Sequence, residues 1–218
     1  MNKKVLAIVI AVLVIAVGAY LFISVNSQET MISVTSASTL KNGDFFTVVL
    51  KDNYRNVYPG QVIDVKILDE KGWAHHYNAT TDEKGQINVS VQKLTPKTYV
   101  AKIKFKGNSY YIESETADVV VVKKATPKIG AKAKTFKVKT KTKKYAITLK
   151  NNKKQAMKNT KVYLKVKGKT YAAKTNSKGK ATFKITKLTK KGKFTAVVTY
   201  KGSAYYNKTT KKVKITTR

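Results

Sequence analysis

The two histidines are the residues of this chain that would first be considered as metal ligands. His75 and His76 are adjacent and follow the single tryptophan, Trp73. Because neighbouring residues on a strand point to opposite faces of a sheet, the two imidazoles would not meet at one ion. No third ligand accompanies them at a spacing that zinc sites use. The sequence therefore predicts no metal site and no cofactor.

The carboxylates do not form a catalytic pattern either. Asp69-Glu70 and Asp82-Glu83 fall in predicted turns, where a solvated acid is the common interpretation. Of the 11 Asp and Glu residues, none follows Asp118, and general acid–base catalysis usually relies on carboxylates or histidine. The chain has no cysteine, which excludes a thiol nucleophile, a thiolate metal site and disulfide bonds. We therefore expect no catalytic residues and a protein that is not an enzyme.

Lysine is the residue type whose distribution indicates binding. The chain has 45 Lys and Arg against 11 Asp and Glu, which gives a formal net charge of +34. The stretch from Lys128 to Arg218 contains cations and no acid, whereas the cations from Lys41 to Lys124 are nearly balanced by acids. A domain without internal counter-charge repels itself unless salt or a polyanion is present. We therefore expect the partner of the C-terminal half to be acidic.

The lysines alternate with apolar residues at the spacing of a β-strand. In Lys161–Lys167, with sequence KVYLKVK, the valines and the leucine would face inward and the lysines outward. The sequence thus predicts a basic sheet face that binds an extracellular polyanion by counterion release. The lysines that alternation assigns to this face are Lys161, Lys165, Lys167, Lys184, Lys187 and Lys193.

The charge pattern leaves several partners open. An acidic cell-wall polymer, a polysaccharide and anionic lipid headgroups all suit a lysine face. An extracellular nucleic-acid-binding protein is an alternative, although the sequence shows neither a recognition helix nor the aromatic strand of an RNA-binding sheet. A second alternative is a structural surface spacer whose lysines only maintain solubility. That alternative does not explain why one half of the chain is balanced and the other has no acid.

The N-terminal segment predicts export to the cell surface. Val5–Val25 contains no charged residue and is long enough to cross a bilayer as a helix. Lys3 and Lys4 precede it, so the remainder of the chain would lie outside the cell, on a single-pass signal anchor. Cleavage after Ala19 would instead give a secreted protein. In either case, three Asn-X-Ser/Thr sequons become predicted glycosylation sites, and their asparagines are Asn78, Asn88 and Asn207.

Two sequence blocks occur twice and reveal an internal repeat. KGNSYY at Lys106–Tyr111 returns as KGSAYY at Lys201–Tyr206, and Thr80–Val91 corresponds to Lys174–Ile185. Two blocks in one order and at nearly one spacing indicate a unit of about ninety residues that is used twice. Ala125–Gly130, with sequence ATPKIG, is the expected joint between the two copies.

Both copies show the period-two alternation of an all-β fold, with turn residues between the apolar runs. In the first copy we expect about seven strands, the first at Ile32–Thr39 and the last at Thr116–Val122. The predicted organisation is a signal anchor over residues 1–30, a first Ig-like domain over 31–124 and a lysine-rich second Ig-like domain over 125–218.

The repeated turns carry a resemblance to a known family. The T-[DN]-x-x-K-G type turns at Thr81–Gly85 and Asn176–Gly179, together with the two K-G-x-x-Y-Y turns, resemble bacterial Ig-like repeats of the invasin and intimin type. The lysine richness looks most like the Ig-like domains of adhesin-like surface proteins from methanogenic archaea. The resemblance implies two tandem Ig-like β-sandwiches at the cell surface, used as spacers or adhesive modules. We therefore predict an adhesin-like protein with a spacer first domain and a cationic, polyanion-binding second domain.

Overall fold

The computed structural model describes residues 27–218, and within them every regular element is a β-strand. The first repeat contains β1 (Met31–Val34), β2 (Thr39–Lys41), β3 (Phe45–Lys51), β4 (Val62–Leu68), β5 (Ala74–Thr80), β6 (Gln86–Ser90), β7 (Thr98–Phe105) and β8 (Ser114–Lys123). The second contains β9 (Lys128–Gly130), β10 (Lys134–Phe136), β11 (Lys143–Lys150), β12 (Lys161–Val166), β13 (Lys169–Lys174), β14 (Lys180–Ile185), β15 (Gly192–Tyr200) and β16 (Thr209–Thr217). We call β1–β8 sandwich 1 and β9–β16 sandwich 2.

The two sandwiches have the same topology. Sandwich 1 has a three-stranded sheet in the order β1-β3-β6 and a five-stranded sheet in the order β2-β8-β7-β4-β5. Sandwich 2 repeats both orders, as β14-β11-β9 and β10-β16-β15-β12-β13. In sandwich 2 the pairing of β10 with β16 is parallel, and the other strand pairs are antiparallel. The prediction of an all-β fold with two tandem sandwiches is confirmed for the described residues.

Alternation along each strand builds the core of each sandwich. In β12, Val162, Leu164 and Val166 are buried and the residues between them face outward. Because side chains on a strand alternate between its two faces, one face of each sheet is apolar and covers the other sheet. Two large aromatic side chains, Tyr145 and Phe183, are fully buried between the sheets of sandwich 2.

The described residues form two compact units. Unit 1 holds the described residues up to Leu40, with Phe45–Ser90 and Thr98–Val121, and unit 2 holds Lys41–Asp44, Val91–Lys97 and Val122–Arg218. The domain bounds expected from the sequence, 31–124 and 125–218, stay a prediction.

The strand assignment differs from the sequence prediction at three places. The single strand expected at Ile32–Thr39 is two strands, because β1 pairs with β3 in one sheet and β2 joins the other sheet beside β8. Strand β13 was not predicted, and β5 was expected only as the strand that carries His75 and His76. Both are edge strands of a five-stranded sheet with one side half-covered, so their apolar alternation is weak.

The expected joint belongs structurally to sandwich 2. Ala125 is fully buried, and it forms a parallel bridge with Tyr206. Its N–H donates to the carbonyl of Tyr205 (3.1 Å) and its carbonyl accepts from the N–H of Asn207 (2.8 Å). The repeated K-G-x-x-Y-Y turn therefore holds the segment that precedes the first strand of its own sandwich. Gln28 makes the equivalent parallel bridge to the turn of sandwich 1.

The predicted signal anchor, Val5–Val25, lies outside the described residues. Between residues 27 and 218, the structure has no helix of the length and hydropathy needed to span a membrane.

Candidate functional site

The outward side of the five-stranded sheet of sandwich 2 is the broadest basic surface predicted by the sequence. Lys161 and Lys165 point outward on β12 because the alternating residues Val162, Leu164 and Val166 fill the core. The neighbouring strands contribute further outward lysines through their register with β12 and with each other. We call this surface the outer lysine face, and its lysines are Lys161, Lys165, Lys174, Lys193, Lys201, Lys212 and Lys214.

Cross-strand register arranges the outer lysine face in rows. Lys161 lies opposite Lys174 of β13, which places two ammonium-bearing residues side by side. Lys165 lies in a second row with Val197 and Lys212. Because outward residues on one strand are about 6.6 Å apart, these two rows lie roughly 13 Å apart. The cations of this face are therefore spread over several strands and are not gathered at a single site.

An uncharged row separates the two rows of lysines. It consists of Ala172, Tyr163, Thr199 and Thr210, one from each of four adjacent strands. The ammonium groups of Lys161 and Lys201 lie over the Tyr163 ring, 5.7 and 4.7 Å from its centroid. A ring attracts a cation through its negative face, so Tyr163 holds two lysines close together without a carboxylate.

The same row of sandwich 1 has a different chemistry. It consists of Asn78, Asp64, Lys104 and Glu115, aligned by the equivalent strand register. Lys104 is paired with Glu113 at 3.2 Å and with Glu115 at 3.7 Å, and the hydrogen bond to Glu113 raises the pKa of Lys104. Charges on this face of sandwich 1 therefore compensate one another, whereas those of the outer lysine face do not.

The turns show the same replacement of acids in sandwich 2. In sandwich 1, Asp52 Oδ1 accepts hydrogen bonds from the N–H groups of Tyr54 and Asn56, both at 2.8 Å. In sandwich 2, Asn151 Oδ1 accepts the equivalent bonds from Lys153 and Gln155 at 3.0 and 2.9 Å. The amide oxygen thus accepts the hydrogen bonds that the carboxylate accepts in sandwich 1, but it carries no charge.

A second turn repeats this replacement. Asp82 Oδ1 accepts from the N–H groups of Lys84 and Gln86 at 2.9 and 3.0 Å. Asn176 Oδ1 accepts from Lys178 and Lys180 in sandwich 2, both at 3.0 Å. Because the hydrogen bonds are preserved at both turns, folding of this architecture does not require the acids that sandwich 2 lacks.

The structure divides the six predicted lysines between different surfaces. Lys161, Lys165 and Lys193 lie on the outer lysine face. Lys184 lies on β14 in the other sheet, directly opposite Lys144. Two further lysines, Lys167 and Lys187, are exposed in connections that follow β12 and β14. The six side chains therefore do not form one surface.

Four lysines of the outer lysine face were missed by sequence reasoning. Lys174 lies on the unpredicted strand β13, and Lys201 follows β15 within the repeated turn motif. Lys212 and Lys214 lie on β16, where alternation with Val213 and Ile215 gave the signal that could have identified them.

The predicted glycosylation sites differ in their surroundings. Asn78 is exposed on the edge strand β5. Asn88 is exposed on β6, where its Oδ1 accepts from the Thr47 hydroxyl at 2.8 Å. The Asn207 Nδ2 group donates to the Thr126 hydroxyl at 3.1 Å. Attachment of a glycan at Asn207 would replace one of the two hydrogens of that amide beside an existing hydrogen bond, so Asn78 is the best presented of the three sequons.

The remaining residues to consider are the two histidines and the tyrosines of the repeated turns. His75 and His76 are exposed neighbours on β5, and within residues 27–218 no group of three His, Asp or Glu side chains could hold a metal ion. Tyr111 lies against Tyr58 with ring centroids 4.6 Å apart. Tyr206 packs against the core of sandwich 2. One tyrosine of each repeated pair thus contacts its own sandwich.

Comparison with known proteins shows likeness among solved structures only. The chain is similar to a tetra-tandem repeat from the extending region of a large adhesion protein, with 14% identity over 85% of this chain and 48% of that chain and a TM-score of 0.41. It is also similar to invasin, described as a bacterial integrin-binding protein, with 15% identity, coverage of 87% and 39%, and a TM-score of 0.45. The D00-D0 domain of intimin gives 14% identity, coverage of 85% and 98%, and a TM-score of 0.35.

The chain spans less than half the length of the first two of these structures. No protein-family model matches the sequence, and no curated protein matches it. With TM-scores below 0.5, these likenesses assign neither a family nor a partner to the chain. The resemblance to archaeal surface proteins stays a prediction.

Proposed function

We propose that this chain is an adhesin-like cell-surface protein that attaches to extracellular polyanions through the outer lysine face of sandwich 2. Sandwich 1 acts as a spacer, and the predicted anchor at Val5–Val25 keeps the chain on the membrane or is removed to release it. The favoured partner is an acidic wall polymer or polysaccharide. The protein performs no catalysis in this proposal.

The observation that carries the proposal is the replacement of acids at equivalent positions of two sandwiches with one topology. Asp52 and Asp82 become Asn151 and Asn176 with their hydrogen bonds preserved. On the sheet face, Asp64 becomes Tyr163. The fold accepts acids at these positions, since sandwich 1 has them. Their absence from sandwich 2 therefore indicates a requirement for uncompensated positive charge, which attracts polyanions and releases their counterions.

The shape and chemistry of the outer lysine face favour an acidic polymer over nucleic acid as the ligand. It is a sheet face without a helix or protruding ribbon that could enter a duplex groove. Its outward aromatic residue, Tyr163, is half-buried and lies under two lysines, so it offers little ring surface on which a base could stack. A flexible acidic polymer needs neither feature, because it follows the rows of ammonium groups.

Two triple variants with equal loss of charge test the assignment. In the full chain, kept in neutral detergent, Lys161, Lys165 and Lys212 are changed to Gln to alter the outer lysine face. The matched control changes Lys144, Lys150 and Lys184 to Gln on the opposite sheet. There Lys144 and Lys184 are cross-strand partners of each other, and Lys150 is the partner of Lys128. Binding to immobilised polygalacturonate is measured across a salt series, with circular dichroism to verify folding.

We expect the outer-face variant to lose at least about tenfold in affinity, because each lost ammonium–carboxylate contact contributes about half a kcal/mol or more. The control should retain most of its affinity, and binding of the unmodified chain should weaken steeply with salt. Equal losses in the two variants would show that net charge, not this face, determines binding. Tighter binding to duplex DNA than to polygalacturonate would favour the nucleic-acid alternative, and no binding at physiological salt would favour the spacer.

A further inference from the structure

We infer that a groove on the side of sandwich 2 is a separate subsite for an acidic sugar unit of one or two rings. The inference rests on the proposed function, because it concerns a repeat unit or chain end of the same class of polymer. The groove has a volume of about 470 Å³. It lies away from the outer lysine face.

The groove exists because the chain crosses from one sheet to the other between β9 and β10. Strand β9 pairs with β11, and β10 pairs with β16, so residues 131–133 bridge the open side of the sandwich. Three small residues line the groove here, Gly130 at the end of β9 and Ala131 and Ala133 of the crossing. A side chain on Gly130 would collide with the Thr148 hydroxyl. Glycine at this position therefore allows β9 to pack closely against β11, and the two alanines leave the floor without long side chains.

Buried side chains support the floor. Tyr145 and Ile147 line the groove from β11 and belong to the core. The Tyr145 hydroxyl donates to the Lys132 carbonyl at 2.7 Å, which fixes the crossing segment to the sheet. Burial raises the pKa of Tyr145, so the hydroxyl stays protonated as a donor. The floor is thus a firm surface of small apolar groups.

Lysines from different elements surround this floor. Lys128 comes from β9, Lys132 from the crossing, Lys180 from β14, and Lys211 from β16. All four are exposed, and the lining contains no carboxylate. Lys134 also lines the groove, but its ammonium donates to the Lys144 carbonyl at 3.1 Å. The other four are positioned to meet an anionic ligand from several sides.

Size and chemistry together favour a sugar acid. Ligand sites of about 300 to 1,000 Å³ bury small organic molecules, and a groove of 470 Å³ exceeds what a single sulfate or phosphate would fill. The small apolar floor suits the flat C–H face of a pyranose ring, while the ammonium groups suit carboxylate substituents at its edge. A peptide would require pockets for larger side chains, and the Gly and Ala residues of the floor form a flat surface.

A short ligand, trigalacturonate, tests the groove, whereas the long polymer polygalacturonate tests the proposed function of the outer lysine face. Trigalacturonate is titrated into the full chain by calorimetry, beside maltotriose, sodium sulfate and tetraglutamate. One variant changes Lys132, Lys180 and Lys211 to Gln, and a second, Ala133→Trp, fills the groove without loss of charge. The outer-face triple variant at Lys161, Lys165 and Lys212 is the control, and circular dichroism verifies each fold.

We expect trigalacturonate to bind at one saturable site. Both groove variants should lower the affinity for trigalacturonate by at least about tenfold, and the outer-face variant should keep the affinity of the unmodified chain. Undiminished binding by Ala133→Trp would overturn the inference, as would equal affinity for sulfate or tetraglutamate. If trigalacturonate does not bind but polygalacturonate still binds through the outer lysine face, the groove assignment fails and the proposed function remains. If neither ligand binds, both fail.

Discussion

The exchange of a carboxylate for an amide at Asp52 and Asn151 separates two roles of one side chain. Both oxygens hold the same two backbone N–H groups in a turn. Only the acid adds charge, and only the acid titrates. Positions of this kind allow a repeat to change its electrostatics while its backbone stays the same.

We expect Asp52 to make sandwich 1 sensitive to acid. Burial raises the pKa of this carboxyl, but hydrogen bonds from Asn56, Tyr58 and Tyr54 outweigh that effect, so the pKa lies below its ordinary value. A lowered pKa in the folded state contributes stability above the unfolded pKa of about 3.9, and this contribution is lost as pH falls through the folded value. Asp52→Asn should therefore flatten the decline of unfolding free energy between about pH 5 and pH 3.

Urea denaturation of the full chain at several pH values, monitored by NMR signals of each sandwich, measures this effect. The reciprocal variant Asn151→Asp should give sandwich 2 an acid-dependent loss that it otherwise lacks at this turn. An identical pH profile for Asp52→Asn and the unmodified chain would show that the turn does not contribute to acid sensitivity.

Alternation predicted which lysines are exposed but not which sheet they belong to. Lys165 and Lys184 have the same sequence surroundings, with buried residues on both sides. They lie on opposite sheets because β12 pairs with β15 while β14 pairs with β11. Period two gives the inward or outward direction of a side chain, whereas assignment to a sheet depends on long-range pairing. The candidate face could therefore be predicted only in part.

At the scale of elements, the repeated glycine turns were predictable because their chemistry is local. Gly179 has φ of +68° and donates to the Asn176 carbonyl at 2.9 Å. Its carbonyl accepts from the Leu149 N–H at 2.8 Å. An added Cβ would lie 2.5 Å from the Leu149 carbonyl oxygen. Both the backbone conformation and the close approach of β11 thus require glycine.

A pair of alanine substitutions separates these two requirements. Gly168 lies in the turn between β12 and β13 with φ of +75°, and the Cβ added by Gly168→Ala would meet open space. This substitution should cost about 1 kcal/mol of unfolding free energy, from backbone conformation alone. Gly179→Ala should cost about 2 kcal/mol more, because the collision adds to the same conformational cost. Urea denaturation compares the two, and equal losses would show that the turn yields to the Cβ without strain.

Elements with weak or long-range signals were the ones that the sequence did not predict. Strand β13 was missed because its outward side carries Thr170 and Ala172, which do not contrast with the partly buried Tyr171 and Ala173. The division of the first predicted strand into β1 and β2 was missed because a change of sheet leaves no local signature. Both features follow from tertiary pairing.

At the scale of the whole molecule, the charge distribution is the property that the sequence revealed most directly. A formal net charge of +34 arises almost entirely after Asp118. Counting residues was sufficient to locate this excess, because it requires no knowledge of pairing. The structure added the comparison between equivalent positions, which shows that the excess is independent of the fold.

The pairing of the first and last segments of sandwich 2 has a mechanical consequence. Ala125 bridges Tyr206 in parallel, and β10 runs parallel to β16 up to Thr217. When the two ends of this sandwich are pulled apart, parallel segments slide along each other. Their hydrogen bonds are then loaded together in shear rather than broken one after another. A tether under flow would benefit from such a geometry.

Single-molecule pulling can measure this resistance, because a chain without cysteine accepts unique attachment points through Lys124→Cys and Arg218→Cys. Gly202→Ala should lower the peak unfolding force, since φ of +91° and a Cβ 2.9 Å from the Tyr206 carbonyl disturb the loaded turn. Gly168→Ala lowers stability at an unloaded turn and should leave the peak force nearly unchanged. If Gly202→Ala and Gly168→Ala lower the peak unfolding force equally, resistance to force follows overall stability, and the parallel pairing has no mechanical role.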